Sequence, residues 1–319
     1  MPILLFGGLL LILSGAEFFT NAAEWLSRRL HLSHSVTGKI LAAVGTALPE
    51  SVIPLIALYS GDRVDIATGA LFGAPFMLGT LAFGVCGTAI ILCGRREVKV
   101  AKEQLSFEIC YILLCFAIFF SSCFGGVYLQ RIAAIMLLWA YAYYAWRIFK
   151  TVDTKSAEKL RPLYLARKSS RFWVIVVQLV LGVAMILGGA ELFVGGIGMG
   201  AAKWGLSPLV LSLILTPVAT ELPEKFNSVI WIMQDKDELA IGNITGAMVF
   251  QCTVIPALVM LKKPLDLDLA AIYTAVILVL SLGWLYFYLG RCRKIPAAGL
   301  LSGFLGSLGF IGILFWSLI

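Results

Sequence analysis

Two short stretches of the chain carry residue types that could do chemistry, AVGTALPESV at 43–52 and TPVATELPEK at 216–225. Each sets a carboxylate directly after a proline, Pro49-Glu50 and Pro223-Glu224, four residues beyond a hydroxyl at Thr46 or Thr220. A proline inside a helix cannot donate its backbone hydrogen bond, and its ring clashes with the carbonyl four residues earlier. Pro49 is therefore expected to release the carbonyl of Gly45, and Pro223 that of Ala219. Carboxylate, hydroxyl and freed carbonyl together form a set of hard oxygen ligands, suited to Na⁺ or Ca²⁺ rather than to softer metals. A simple kink, with the acid facing a lysine or a pocket of water, is the alternative for either copy taken alone.

The elements that must position these residues are membrane helices. Of the 319 residues 60% are hydrophobic and 13% charged, too apolar a balance for a water-soluble globule. A lipid core of about 30 Å needs about 20 apolar residues per helix. Ten runs meet that length, at 3–26, 36–59, 66–94, 105–124, 128–149, 173–200, 207–232, 239–261, 267–289 and 296–318. They are continuous rather than alternating, so the fold class expected is an all-α polytopic membrane protein and not a barrel. The first run has the look of a signal-peptide core, yet it has no basic segment before it and a copy of it recurs, so it is kept as structure. In such an environment a bare carboxylate costs at least about 2.5 to 3.5 kcal/mol, which a captured cation would offset.

Charge and cysteine usage narrow the classes further. The loops between successive runs alternate in basic residues: the odd ones hold 19 Lys or Arg and the even ones five, with Lys225 left inside the seventh run. The net charge of +7 therefore points to basic cytoplasmic loops and not to nucleic acid, with both termini outside the cell membrane. The seven cysteines show no CxxC spacing and are expected mostly as small buried hydrophobes. The only histidines, His31 and His34, lie beside basic loop residues, and no HExxH or Asp-rich motif occurs, so no enzyme and no cofactor are expected.

The chain also repeats itself. LSGAEFF at 13–19 falls on LGGAELF at 187–193, and the same offset of 174 lays VGTALPE (44–50) on VATELPE (218–224). One residue less lays GALFGAPFML (69–78) on GNITGAMVFQ (242–251), pairing Gly69 with Gly242 and Gly73 with Gly246. Five runs per copy is an odd number, so the second copy enters the membrane from the opposite face and the repeats are inverted. This divides the chain into a first repeat at 1–149, a solvated cytoplasmic linker at 150–171 and a second repeat at 172–319. Glu17 and Glu191 recur in register, as carboxylates on an ion path or as interhelical hydrogen-bond partners. Asp62, Asp65, Asp235, Asp237 and Glu238 read as solvated turn residues.

The order GAEFF, GTALPES, DIATGALFG in one half and GAELF, ATELPEK, ELAIGNITG in the other resembles the sodium/calcium exchanger family. The resemblance implies a ten-helix antiporter moving Ca²⁺ against Na⁺, in which the first and sixth helices slide past the other eight. It carries the family's ion-binding glutamates to Glu50 and Glu224, its threonines to Thr46 and Thr220, and its backbone carbonyls to Ala43 and Pro217. Inorganic cations and the lipid bilayer are the partners it implies, with no obligate protein partner. The sequence departs from the family pattern at several ligand positions. The family serine after the threonine is Ala47 in one half and Glu221 in the other, the serines after the second glycine are Ala74 and Ala247, and the final Asn or Asp is Leu78 or Gln251. Glu221 and Gln251 thus join the candidate ligands, while Leu78 withdraws one. Lys225, four residues after Glu221, either neutralises it from within or reaches a membrane interface and leaves Glu221 to the site. Two alternatives to Ca²⁺/Na⁺ exchange stay open: exchange of Ca²⁺ or another cation against protons through an altered site, and a membrane protein that kept the fold and lost transport.

Overall fold

The computed structural model describes residues 2–30, 47–61, 63–150, 162–166, 171–205, 211–212, 222–292 and 295–318. Among them the elements are α1 (Pro2–Arg29), α2 (Leu48–Gly61), α3 (Val64–Leu92), α4 (Lys102–Ser122), α5 (Val127–Lys150), α6 (Phe172–Trp204), α7 (Leu222–Met233), α8 (Asp237–Lys262), α9 (Leu269–Arg291) and α10 (Ala297–Leu318). One antiparallel strand pair, β1 (Glu97–Val98) and β2 (Ile295–Pro296), ties two loops together. Seven of the helices, α1, α3, α4, α5, α6, α8 and α9, are long and apolar enough to cross a membrane. Local sequence explains several boundaries. The Asp268 carboxylate caps α9 by accepting the Leu269 N–H at 2.6 Å, and α6 ends where Gly205 takes a left-handed φ of 66°. α3 contains Pro75 and then opens into a single π turn at Leu78–Ala82 before resuming as α-helix.

Lipid-facing side chains such as Phe6, Trp139, Trp173 and Leu280 are exposed on the outer helices, while α3 and α8 are the most enclosed spans. α3 packs on α9 and α10, and α8 on α4 and α5; α2 lies on α3 and α8, and α7 on α8 and α3. The most extensive pairing of all is α1 with α6. They cross through four glycines. A Cβ on Gly8 would lie 2.7 Å from the Gly189 carbonyl oxygen, and one on Gly189 would lie 2.7 Å from that of Gly8. Gly15 and Gly182 mirror this at 2.8 and 2.9 Å, so no side chain fits at either crossing point and the backbones touch. Numbers rise along α1 as they fall along α6, which makes the pair antiparallel.

Part of the linker is docked rather than solvated. Leu163 is buried, the Tyr164 ring stacks on Phe18, and the Tyr164 hydroxyl donates to Glu17 at 2.6 Å. Gln178 of α6 donates to Asn21 of α1 at 2.9 Å and accepts from the Leu165 N–H at 3.1 Å. Polar side chains on α1 and α6 thus satisfy the backbone of the crossing strap.

A second correction falls at the same end of the bundle. Asp237, expected as a solvated turn residue, has a fully buried side chain that accepts from both sides: Arg95 Nη1 at 2.8 and 2.9 Å and the Lys99 N–H at 2.8 Å. Arg95 also donates to the Ile232 carbonyl at 2.8 Å, so one guanidinium holds the end of α7 against the start of α8. The sequence could not show this because Arg95 lies 142 residues before its partner. Asp65, Asp235 and Glu238 are exposed, as expected, and Asp62 lies outside the described residues. Removing Arg95 strands a buried carboxylate. Arg95→Ala is expected to lower stability by about 3 kcal/mol, read by thermal unfolding in detergent.

Asp235 takes a hydrogen bond and charge from Lys99, with a smaller contribution from Arg95, and these hold its carboxyl below the usual carboxylate range. A depressed folded value contributes stability above the unfolded value of about 3.9, and this is lost as pH falls through the folded one. The stability difference between the wild type and Asp235→Asn should therefore be constant at neutral pH and disappear on acidification. Its exposure makes the difference small.

Candidate functional site

The two LPE motifs begin the described parts of two helices. Pro49 is the second residue of α2, where the first turn has no intrahelical use for the missing N–H, and Pro223 is the second described residue of α7. Glu50 follows in the first turn of α2 and is 2% exposed. A carboxylate there faces the positive end of the helix macrodipole, which favours its charge. Glu224 is the third residue of α7, and its backbone place alone is described. Ala43, Thr46, Pro217, Thr220 and Glu221 lie outside the described residues, as do Gly45 and Ala219.

Gln251 of α8 is 4% exposed, and among the described residues neither atom of its carboxamide has a hydrogen-bond partner. An orphaned buried amide is expensive, so its place calls for a polar companion. Helical rise puts it at a similar depth to Glu50. α2 and α8 pack together and end side by side, with the Lys262 ammonium 4.6 Å from the Tyr59 ring centre. Glu50 lies nine residues before Tyr59 and Gln251 eleven before Lys262, helical rises of about 14 and 16 Å from that contact. Glu224 lies eight residues before Ile232, whose carbonyl Arg95 holds at the other end, a rise of about 12 Å. The two motifs thus approach the middle of the bundle from opposite faces.

The repeat mate of Gln251 contributes nothing polar. Leu78 is fully buried in the π turn of α3, and the next residue, Gly79, lies against Leu278 and Met248. Ala47 and Ala74 are likewise buried without a side-chain oxygen to offer. Lys225 is 8% exposed, so most of its side chain is enclosed by the protein. Glu17 is taken by Tyr164 of the linker, and Glu191 is exposed on α6.

Among the buried polar groups that were not singled out in the sequence, Glu108 and Thr68 lie on or against the site helices. Glu108 of α4 accepts from the Thr245 hydroxyl of α8 at 2.6 Å and from Gln104 at 3.3 Å. Thr245 stands inside the GNITG segment, so this bond fastens the site helix to α4. Thr68, one residue before Gly69, has a fully buried hydroxyl with no partner among the described residues. Only its position in DIATGALFG could have flagged it. A cavity of about 670 Å³ opens elsewhere, at the loop end lined by Arg95, Arg96, Lys99 and Lys102. Its walls do not include Glu50 or Gln251, and Arg95 and Lys99 are already committed to Asp237 and Asp235. We therefore place the candidate site in the packed middle of the helices.

A helical bundle with lipid-facing outer surfaces and buried charges at mid-depth defines a polytopic membrane protein of the transporter class. The chain belongs to the sodium/calcium exchanger protein family, whose model matches residues 1–150 and 174–313. It is 27% identical over 323 residues to the inner membrane protein YrbG of Escherichia coli (strain K12), covering 98% of this chain and 96% of that protein. Its fold matches the crystal structure of the H⁺/Ca²⁺ exchanger CAX with a TM-score of 0.81 at 18% identity, over 98% of this chain and 81% of that one. It also matches the sodium-calcium exchanger NCX_Mj, soaked with Na⁺ and Sr²⁺, with a TM-score of 0.66 at 23% identity, over 98% and 99% of the two chains.

Proposed function

We propose that the chain is a secondary active antiporter that exchanges Ca²⁺ for Na⁺ by alternating access, built as two inverted repeats of five helices. The reading rests on the buried Glu50, on Gln251 at a similar depth with no carboxamide partner among the described residues, and on Glu224 carried by α7, the repeat mate of α2. A cation held between them would satisfy the carboxylates and the carboxamide together. Thr46, Thr220, Glu221 and the carbonyls of Ala43 and Pro217 complete the ligand set in this reading.

Several packing facts support the inverted architecture. The glycine crossing is reciprocal: shifting by 174 turns the contact of Gly8 with Gly189 into that of Gly182 with Gly15. Exchanging the halves also turns the packing of α3 on α9 and α10 into that of α8 on α4 and α5. Loop contacts follow the same rule. The α3–α4 loop touches the α7–α8 and α9–α10 loops, while the first turn of α5 meets the α8–α9 loop through Gln130 and Leu265. Odd loops meet odd and even meet even, as serial crossings require. With the bias of basic residues, this reading puts the linker in the cytoplasm and both termini outside.

A second reading, with protons as counter-ion, is favoured by the lost oxygens. A proton needs one carboxylate, whereas Na⁺ needs several ligands, and Ala47, Ala74 and Leu78 provide none from their side chains. The deciding experiment is uptake of radioactive calcium by vesicles containing the pure protein, with Na⁺, K⁺ and H⁺ gradients imposed one at a time. Uptake driven by the Na⁺ gradient is expected; uptake driven only by the H⁺ gradient transfers the assignment to the second reading. Uptake driven by none rejects both.

A further inference from the structure

Alternating access needs two bodies that move against each other, and the packing draws a line between them. α1 and α6 pack most closely on each other, through their four glycines. Among the described elements the pair reaches the rest of the bundle chiefly through α2. The docked strap of the linker belongs to the pair. Leu163 clusters with Ala22 and Ile175, and its neighbours bond Asn21, Glu17 and Gln178, all on α1 or α6. A bond that crosses the line therefore bears on which setting the pair adopts.

Arg63 makes such a bond. It lies in the connection between α2 and α3, and its Nη1 donates to the Val194 carbonyl of α6 at 2.9 Å. Within a helix that carbonyl already accepts the N–H four residues on, and its second lone pair takes the guanidinium. Carbonyls recur at every turn of α6, so the acceptor alone does not choose the setting. The seat beside it does. The guanidinium rests on Gly198, where a built Cβ would lie 2.8 Å from Nη1 and 3.4 Å from Cζ. Four residues either way along the same face stand Val194 and Ala202, each with a Cβ in the corresponding space. Of the three, only Gly198 lets the guanidinium lie on the backbone.

We propose that Arg63 is a positioning residue for exchange, a latch that holds the α1/α6 pair at one of its two access settings and so sets the equilibrium between them. A shift of the pair by one helical turn, about 5.4 Å, carries Gly198 out from under the guanidinium and breaks the bond. The latch deepens the alternating-access reading and rests on it, and it holds whether the counter-ion is Na⁺ or H⁺.

The test measures the half-saturating Ca²⁺ concentration of uptake at each membrane face, in right-side-out and inside-out vesicles containing the full-length protein. A protein divided between two access states shows at each face an affinity reduced by the fraction facing that way, so the ratio of the two values follows the equilibrium. Arg63→Ala removes one charged hydrogen bond that is open to water on one side. It should change the ratio about tenfold, raising the half-saturating concentration at one face and lowering it at the other. Gly198→Val pushes the guanidinium off its seat and should move the ratio in the same direction by a similar factor. Two changes that break one bond do not add, so the double variant should match the singles. Arg63→Lys keeps a charged donor and should stay closer to the wild type than Arg63→Ala. A merely structural role would lower the unfolding temperature and the maximal rate without opposite shifts at the two faces. Half-saturating concentrations that are unchanged in both single variants, or that move the same way at both faces, overturn the latch while leaving exchange standing. Absence of uptake by the wild type under every gradient overturns exchange and the latch with it.

Discussion

Glu50→Gln is expected to abolish calcium uptake while leaving the fold intact. The change is nearly isosteric and removes one charge from a side chain 2% exposed at the start of α2. If Glu50 were only a kink-site acid, satisfied within the protein, a neutral amide of the same shape would leave transport largely alone. As a cation ligand it cannot be replaced so lightly, because affinity for hard cations follows the number of charged oxygens, and a loss on the order of 100-fold or more is expected. Stability separates the two cases. Ca²⁺ binds the folded protein and should raise its unfolding temperature in the wild type, through mass action. In Glu50→Gln that calcium-dependent rise should be absent, with the calcium-free unfolding temperature unchanged or higher, since a buried charge has been removed. Glu224→Gln should behave in the same way from the other half.

The second large effect is expected at the glycine crossing. Replacing Gly15 or Gly182 by Leu drives a side chain into the backbone of the facing helix, where even a Cβ would lie within 2.9 Å of a carbonyl oxygen. α1 and α6 must then separate, at a cost of about 1 to 3 kcal/mol in stability. If the pair moves as one body past the remaining helices, exchange should fall by about tenfold or more, since each 1.4 kcal/mol in a barrier is a factor of ten. Gly7 provides the control. Nothing lies within 4 Å of a Cβ built there, so Gly7→Leu should leave both unfolding temperature and uptake near the wild-type values.

How much of this could be read from the sequence depended on the range of the interactions. The apolar runs at 66–94, 105–124, 128–149, 239–261 and 267–289 all fall on α3, α4, α5, α8 and α9 with ends within a few residues, because length and hydropathy are local properties. The duplicated LPE motifs singled out Glu50, and the register of Gly69 with Gly242 singled out Gln251 as the repeat mate of Leu78, all three of which are buried, since a repeat is also legible in one dimension. The buried state of Asp237 was not, for it depends on Arg95 arriving from another loop. Glu108 was passed over inside an apolar run, as its partner Thr245 is 137 residues away. The docking of Leu163 and Tyr164 against α1 and α6 was hidden by the polar composition around them, where only the pairing of Asn21 with Gln178 creates the seat. The π turn in α3 left no local mark beyond the nearby Pro75.

The measurement that bears most directly on two half-sites meeting at one ion is calcium binding to the purified protein, followed by calorimetry in detergent for the wild type, Glu50→Gln and Glu224→Gln. Binding in the wild type that is lost in each single variant is the predicted result, because neither acid holds the ion without the other. Binding that survives either substitution at wild-type affinity would contradict a shared site.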